Sequence, residues 1–158
     1  MAEKAYGRLQ IGLHWVTATL IVGNYFISDG MGEALDARAA GTTVAGLTPV
    51  YHVWAGVALL IVVVLRLALR LRQGAPEQAE QGLPGLAASA VHWLLYAMMI
   101  AVPSLGVAAW FLGIAGAGDL HVLVMNAMMV LILGHAGMAM FHHYVLRDGL
   151  LRRMTPLR

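Results

Sequence analysis

The 158-residue sequence contains no cysteine, which excludes disulfides, thiolate-bound metals, iron–sulfur clusters and haem attached covalently through a Cys-x-x-Cys-His stretch. It is also poor in charge: 11% of its residues are Asp, Glu, Lys or Arg, against about a quarter in an ordinary soluble domain. What it has in excess is apolar character, 60% of its residues, with a mean hydropathy of +0.75. A chain of this composition is neither a cytosolic globule nor a disordered segment.

Each membrane crossing needs about 20 predominantly apolar residues, and four stretches are long enough: 11–27, 50–71, 86–112 and 120–146. The expected fold class is an all-α membrane protein, a four-transmembrane-helix up-down bundle forming one domain over 1–158. The first stretch does not read as a signal peptide, because it holds His14 and Asn24, lacks a small-x-small cleavage site and is followed by more apolar chain. The joints are 29–49, 73–84 and 113–119; the middle one, QGAPEQAEQGLP, reads as a solvated linker.

Charge sets the expected orientation. Lys4, Arg8, Arg66, Arg70, Arg72, Arg147, Arg152, Arg153 and Arg158, nine of the ten basic residues, fall at the N-terminus, around the second joint or at the C-terminus. Cytoplasmic flanks collect Lys and Arg, so both termini are expected in the cytoplasm of a multi-pass protein of the bacterial inner membrane. The opposite side holds Arg38 against Asp29, Glu33, Asp36 and Asp119, a formal charge of about −3. The pI near 9.3 therefore reflects topology and not nucleic-acid binding. Trp15, Trp54, Trp93 and Trp110 lie near span ends, as in an interfacial aromatic belt. Gly56, Gly106, Gly113, Gly134 and Gly137 permit close helix packing or the approach of a flat cofactor, and Pro103 is expected to kink the third span. No internal repeat stands out, although His14-Trp15 and His92-Trp93 open spans one and three alike.

Seven histidines remain to be explained, and an ionisable group inside a span is costly enough to be a functional candidate. At 1.5 Å of rise per residue, His14 and His92 lie one to two turns inside the cytoplasmic ends of spans one and three. His52 and His121 open spans two and four at the other surface. His135 follows His121 by 14 residues, about 21 Å along the helix, and His142 and His143 lie near its inner end. His121, Met128, His135 and His142 recur every seven residues and so share one helix face, drifting only about 20° per step. Depth matching pairs His52 with His121 at the outer level. At the inner level His14 can face His135 or His142, with His92 as an alternative partner. Facing histidines from a helical bundle are the arrangement that holds a haem iron from both sides. Zinc and copper also accept imidazole, but zinc usually adds Cys, Asp or Glu, and the spans offer almost no carboxylates. Met125, Met128 and Met129 are copper-compatible, yet methionines in a bundle more commonly pack.

The sequence resembles the bacterial cytochrome b561 family, small four-helix dihaem b cytochromes of the inner membrane. The resemblance rests on Tyr6-Gly-Arg8-Leu-Gln-Ile-Gly-Leu-His14-Trp15, on His52-x-x-x-Gly56 with Arg66 closing the span, on His92 followed by Tyr96 and Pro103, and on His121, His135, His142-His143-Tyr144, Asp148, Leu151 and Met154. It covers nearly the whole chain. The resemblance implies two haem b groups with four axial iron ligands: His14 with His135 for the cytoplasmic-side haem and His52 with His121 for the outer one. Arg66, with Arg8 and Arg147 as alternatives, is then placed to pair with a haem propionate. His142 and Trp15 are the candidate quinone contacts, and His143 is expected to be interfacial.

Two stacked haems make an electron path across the bilayer, and nothing in the chain resembles a flavin or nicotinamide site. One activity in the family is superoxide oxidation, so the resemblance implies a superoxide:quinone oxidoreductase that takes electrons from periplasmic superoxide and reduces ubiquinone. The alternatives are a passive haem carrier that docks a hydrogenase or another periplasmic dehydrogenase, and a haem-free four-helix transporter or structural protein. The expected partners are membrane lipid, quinone, and superoxide or a periplasmic redox protein.

Overall fold

A computed structural model describes residues 7–74 and 82–154; Lys4, Tyr6, Arg158 and most of the 73–84 linker lie outside the described residues. The elements are helical: α1 (Arg8–Phe26), α2 (Met31–Ala39), α3 (Leu47–Gln73), α4 (Leu83–Leu112) and α5 (Ala117–Phe141), followed by a π-helical turn (His142–Leu146) and a 3-10 turn (Leu150–Met154). The chain is an all-α, multi-span bundle. Three helices, Leu47–Gln73, Leu83–Leu112 and Ala117–Leu146, are long and apolar enough to cross a membrane, and α1 with α2, bent by 76°, brings the candidates to four if that pair counts as one span.

The helices start three residues before the apolar runs, at Arg8, Leu47, Leu83 and Ala117, each directly after a glycine. Pro49 lies in the first turn of α3 and Pro84 in that of α4, where a missing N–H costs nothing because those donors have no partner within the helix. Between α4 and α5 only four residues intervene, flanked by Gly113 (φ 62) and Gly116 (φ 74). Both glycines take the left-handed conformation that reverses the chain sharply without a Cβ clash. Pro103 lies inside α4, which continues as helix on both sides of it.

The joint at 29–49 holds an element that the sequence reading did not anticipate, the nine-residue helix α2. Its Ala34 is buried, and Leu35 reaches so close to Gly118 that a Cβ there would sit 2.9 Å from the Leu35 side chain. The helix therefore lies over the end of the bundle where α5 begins.

Packing runs α1 on α3, α3 on α4 and α4 on α5, whereas α1 and α5 meet through long side chains such as Tyr25, whose hydroxyl lies 3.3 Å from Asn126 Oδ1. Ile21, Leu59, Val63, Leu95, Met99 and Met128 form the mid-depth core. Val63 and Met128 are fully buried, while Val130 and Leu133 on the far side of α5 are 72% and 68% exposed. Helices apolar on every side need lipid around them.

Candidate cofactor sites

The two hairpins repeat one another. In α1–α3 a histidine, His14, stands near the start of the first helix, and Asn24 ten residues later reaches the second helix. In α4–α5 the corresponding positions are His92 and Val102, again ten residues apart. The second helices begin with His52 and His121, and 14 residues on carry Arg66 and His135 respectively. The repeat is invisible to residue matching because Arg66 stands where His135 does and because α2 lengthens the first hairpin only.

At the outer level the structure brings His52 and His121 together, with ring centroids 6.1 Å apart. Two imidazoles ligating one iron from opposite sides have centroids about 6 Å apart, each metal–nitrogen bond being about 2 Å. Each ring is anchored through Nδ1 to a backbone carbonyl, His121 to Val102 at 2.7 Å and His52 to Ile27 at 3.3 Å. A carbonyl only accepts, so both Nδ1 atoms carry the proton and both Nε2 atoms keep the lone pair that a metal requires. Gly106 makes this possible: a Cβ there would lie 3.3 Å from His121 Nδ1. Asn24 donates from Nδ2 to the His52 carbonyl at 3.1 Å, beside Gly56, while its buried Oδ1 has no partner among the described residues. This donor set fits a haem.

At the inner level His14, His92, His135 and Arg66 converge. Arg66 donates to His14 Nδ1 at 2.8 Å and lies over the Tyr96 ring at 5.5 Å. His92 and His135 touch edge to face with centroids 5.1 Å apart, and His92 Nδ1 donates to Ala88 O at 2.7 Å. Arg66 and His135 are both electrostatic neighbours of His14. Guanidinium can only donate, so while Arg66 holds Nδ1 the His14 proton sits on Nε2. Iron ligation through His14 Nε2 would require Arg66 to release Nδ1, and a haem propionate would compete for the same guanidinium. The cluster fits a second haem on those terms. No group of three His, Asp or Glu residues converges as a metal site among the described residues.

Met128, fully buried, separates the two levels on the α5 face, seven residues from each of His121 and His135. His142 turns to Asp148, with its Nδ1 2.6 Å from Oδ2. Trp15 donates its indole N–H to Met154 O at 2.8 Å, so it offers a neighbour a ring face and no hydrogen bond. His143 is half-buried, with its Nδ1 enclosed. The acidic residues Asp29, Glu33, Asp36 and Asp119 all fall at the His52–His121 end of the helices, as does Arg38.

The family profile for prokaryotic cytochrome b561 matches residues 5–157. The chain is 42% identical over 157 residues to cytochrome b562 of Cereibacter sphaeroides, covering 99% of this chain and 98% of that protein. It is 29% identical to cytochrome b561 homolog 1 of Escherichia coli over 179 positions, 97% of this chain and 98% of that one. To the probable superoxide oxidase CybB of Yersinia pestis it is 27% identical over 178 positions, 98% and 97% of the two chains. The bundle, its paired histidines and a match along almost the entire sequence agree: this chain belongs to the prokaryotic cytochrome b561 family and is a membrane-embedded electron-transfer protein of that kind.

Proposed function

We propose that the protein passes electrons through two b haems to ubiquinone, with His52 and His121 as axial ligands at the outer level and His14 and His135 at the cytoplasmic one. The observation that carries this reading is the outer pair, whose Nδ1 anchors leave an Nε2 lone pair on each of two rings with centroids 6.1 Å apart. Bound haem would supply a one-electron iron centre at each level. The chain's own part is to orient the imidazoles, exclude water with the Leu59–Val63–Met128 core, and offer Arg66 to a propionate. The concentration of arginine at the His14 end supports a cytoplasmic position for that end and for both termini. An absorption spectrum of the purified protein tests the foundation: paired low-spin b-type bands are expected, and their absence would leave a haem-free bundle.

Quinone is assigned to the cytoplasmic end, against His142 and the Trp15 ring. His142→Ala should slow quinone reduction by about tenfold or more while both haem bands persist; loss of a haem would make His142 a ligand instead. For the electron donor, superoxide is supported by similarity to the probable superoxide oxidase. Superoxide added to oxidised protein should then reduce the haems within the mixing time of a stopped-flow instrument.

A second reading, a carrier that takes electrons from a periplasmic redox protein such as a dehydrogenase or hydrogenase, is favoured by electrostatics. Superoxide is an anion, the outer end is acidic, and Arg38 there is bound through Nε to Trp110 O at 2.6 Å with its guanidinium over that indole. A net negative mouth lowers the encounter rate of an anion. Haem reduction by a protein donor and none by superoxide would establish the carrier.

A further inference from the structure

The chain beyond α5 folds back on itself at a cost. After the π-helical turn, where the Arg147 N–H bonds to His142 O, Arg147 adopts φ 56, the only positive φ outside glycine among the described residues. A non-glycine residue in the left-handed region is strained. The reversal brings the Asp148 N–H to His142 O at 3.3 Å and its carboxylate to His142 Nδ1 at 2.6 Å. The hook then continues to Met154, whose carbonyl takes the Trp15 indole proton. One short segment thus fastens both side chains assigned above to the quinone.

Quinone reduction needs more than electrons. Forming quinol from quinone takes two electrons and two protons; the path through the bundle supplies electrons one at a time, and the protons must enter from water at the end where quinone binds. A carboxylate accepts and cannot donate, so Asp148 fixes the His142 tautomer with its proton on Nδ1 and makes Nε2 the nitrogen that gains and gives up a proton. The His142 side chain is 14% exposed and that of Asp148 29%, so the pair bridges a sheltered position and cytoplasmic water.

We infer that Asp148 is a positioning residue for quinone protonation: it holds His142 through Nδ1, so that Nε2, once protonated, delivers each proton to a quinone carbonyl oxygen and is refilled from cytoplasmic water. Per quinone, two electrons arrive through the inner level, two protons leave Nε2 in succession, and quinol departs into the lipid. This inference rests on the quinone site proposed above.

The test uses the full-length haem-loaded protein, reduced with dithionite freed of excess, and mixed with ubiquinone-1 while haem oxidation is followed. Asp148→Asn should lower the saturating rate about tenfold or more, leave the half-saturating quinone concentration within about twofold, and keep both haem spectra. Asp148→Glu, which restores a carboxylate, should recover most of the rate. A wild-type rate in Asp148→Asn alongside a slow His142→Ala overturns the role of Asp148 and spares the quinone site. A wild-type rate in His142→Ala removes that site and this inference with it. Loss of a haem in Asp148→Asn, or a change confined to half-saturation, makes the carboxylate a structural part of the hook and also overturns the proposal.

Discussion

His52→Ala and His121→Ala are each expected to lower the haem content from two per chain to one, with the surviving spectrum that of the inner haem. Neither ring can be replaced from nearby, because the remaining histidines converge about 14 residues, or about 21 Å, further along the helices. His14→Ala and His135→Ala should remove the other haem and leave the outer one intact. His92→Ala should retain both, since its Nδ1 bond to Ala88 O stays within its own helix and its ring packs on His135. Haem-to-protein ratios from pyridine haemochrome assays and the low-temperature spectra of each variant decide this. Two haems in the His52 or His121 variant would break the outer assignment, and loss of the inner haem in His92→Ala would make His92 the partner of His14.

Gly106→Val should produce the same outer-haem loss without touching a ligand. Even a bare Cβ at Gly106 stands 3.3 Å from His121 Nδ1 and 3.4 Å from Cε1, and valine adds two methyl groups on the side where the ring must sit. The ring has to rotate off Val102 O, which frees Nδ1 and misdirects Nε2. Overpacking of this kind costs about 1–3 kcal/mol in a packed interior, and the loss of ligand orientation comes on top of it. The expected result is a protein with one haem and a lower melting temperature. Retention of both haems with unperturbed spectra would show that α4 and α5 can part at this level.

Most of the bundle was legible because hydropathy reports membrane spans directly. The ends were less so: the helices reach back to Leu47, Leu83 and Ala117, where the positive-φ glycines Gly46, Gly82 and Gly116 set the boundary. Helix α2 escaped notice because its sequence, MGEALDARA, is short and barely amphipathic, and it is held by tertiary contacts, the packing of Ala34 and Leu35 and the bond of Arg38 to Trp110 O. The outer pair could be anticipated from depth alone, since His52 and His121 open helices that run the same way. The inner cluster could not be resolved so, because three histidines share one depth and the contact of Arg66 with His14 depends on side-chain reach. Asp148 was visible only as part of a family resemblance; its contact with His142 depends on a left-handed Arg147 that no periodicity encodes.

The hairpin repeat bears on how such a protein is put together. His52 is oriented by Asn24 and Ile27, both within the α1–α3 half, and His121 by Val102, within the α4–α5 half. Each half thus holds its own outer histidine through contacts made within that half. Iron bound by both would clasp the halves across the long linker between them.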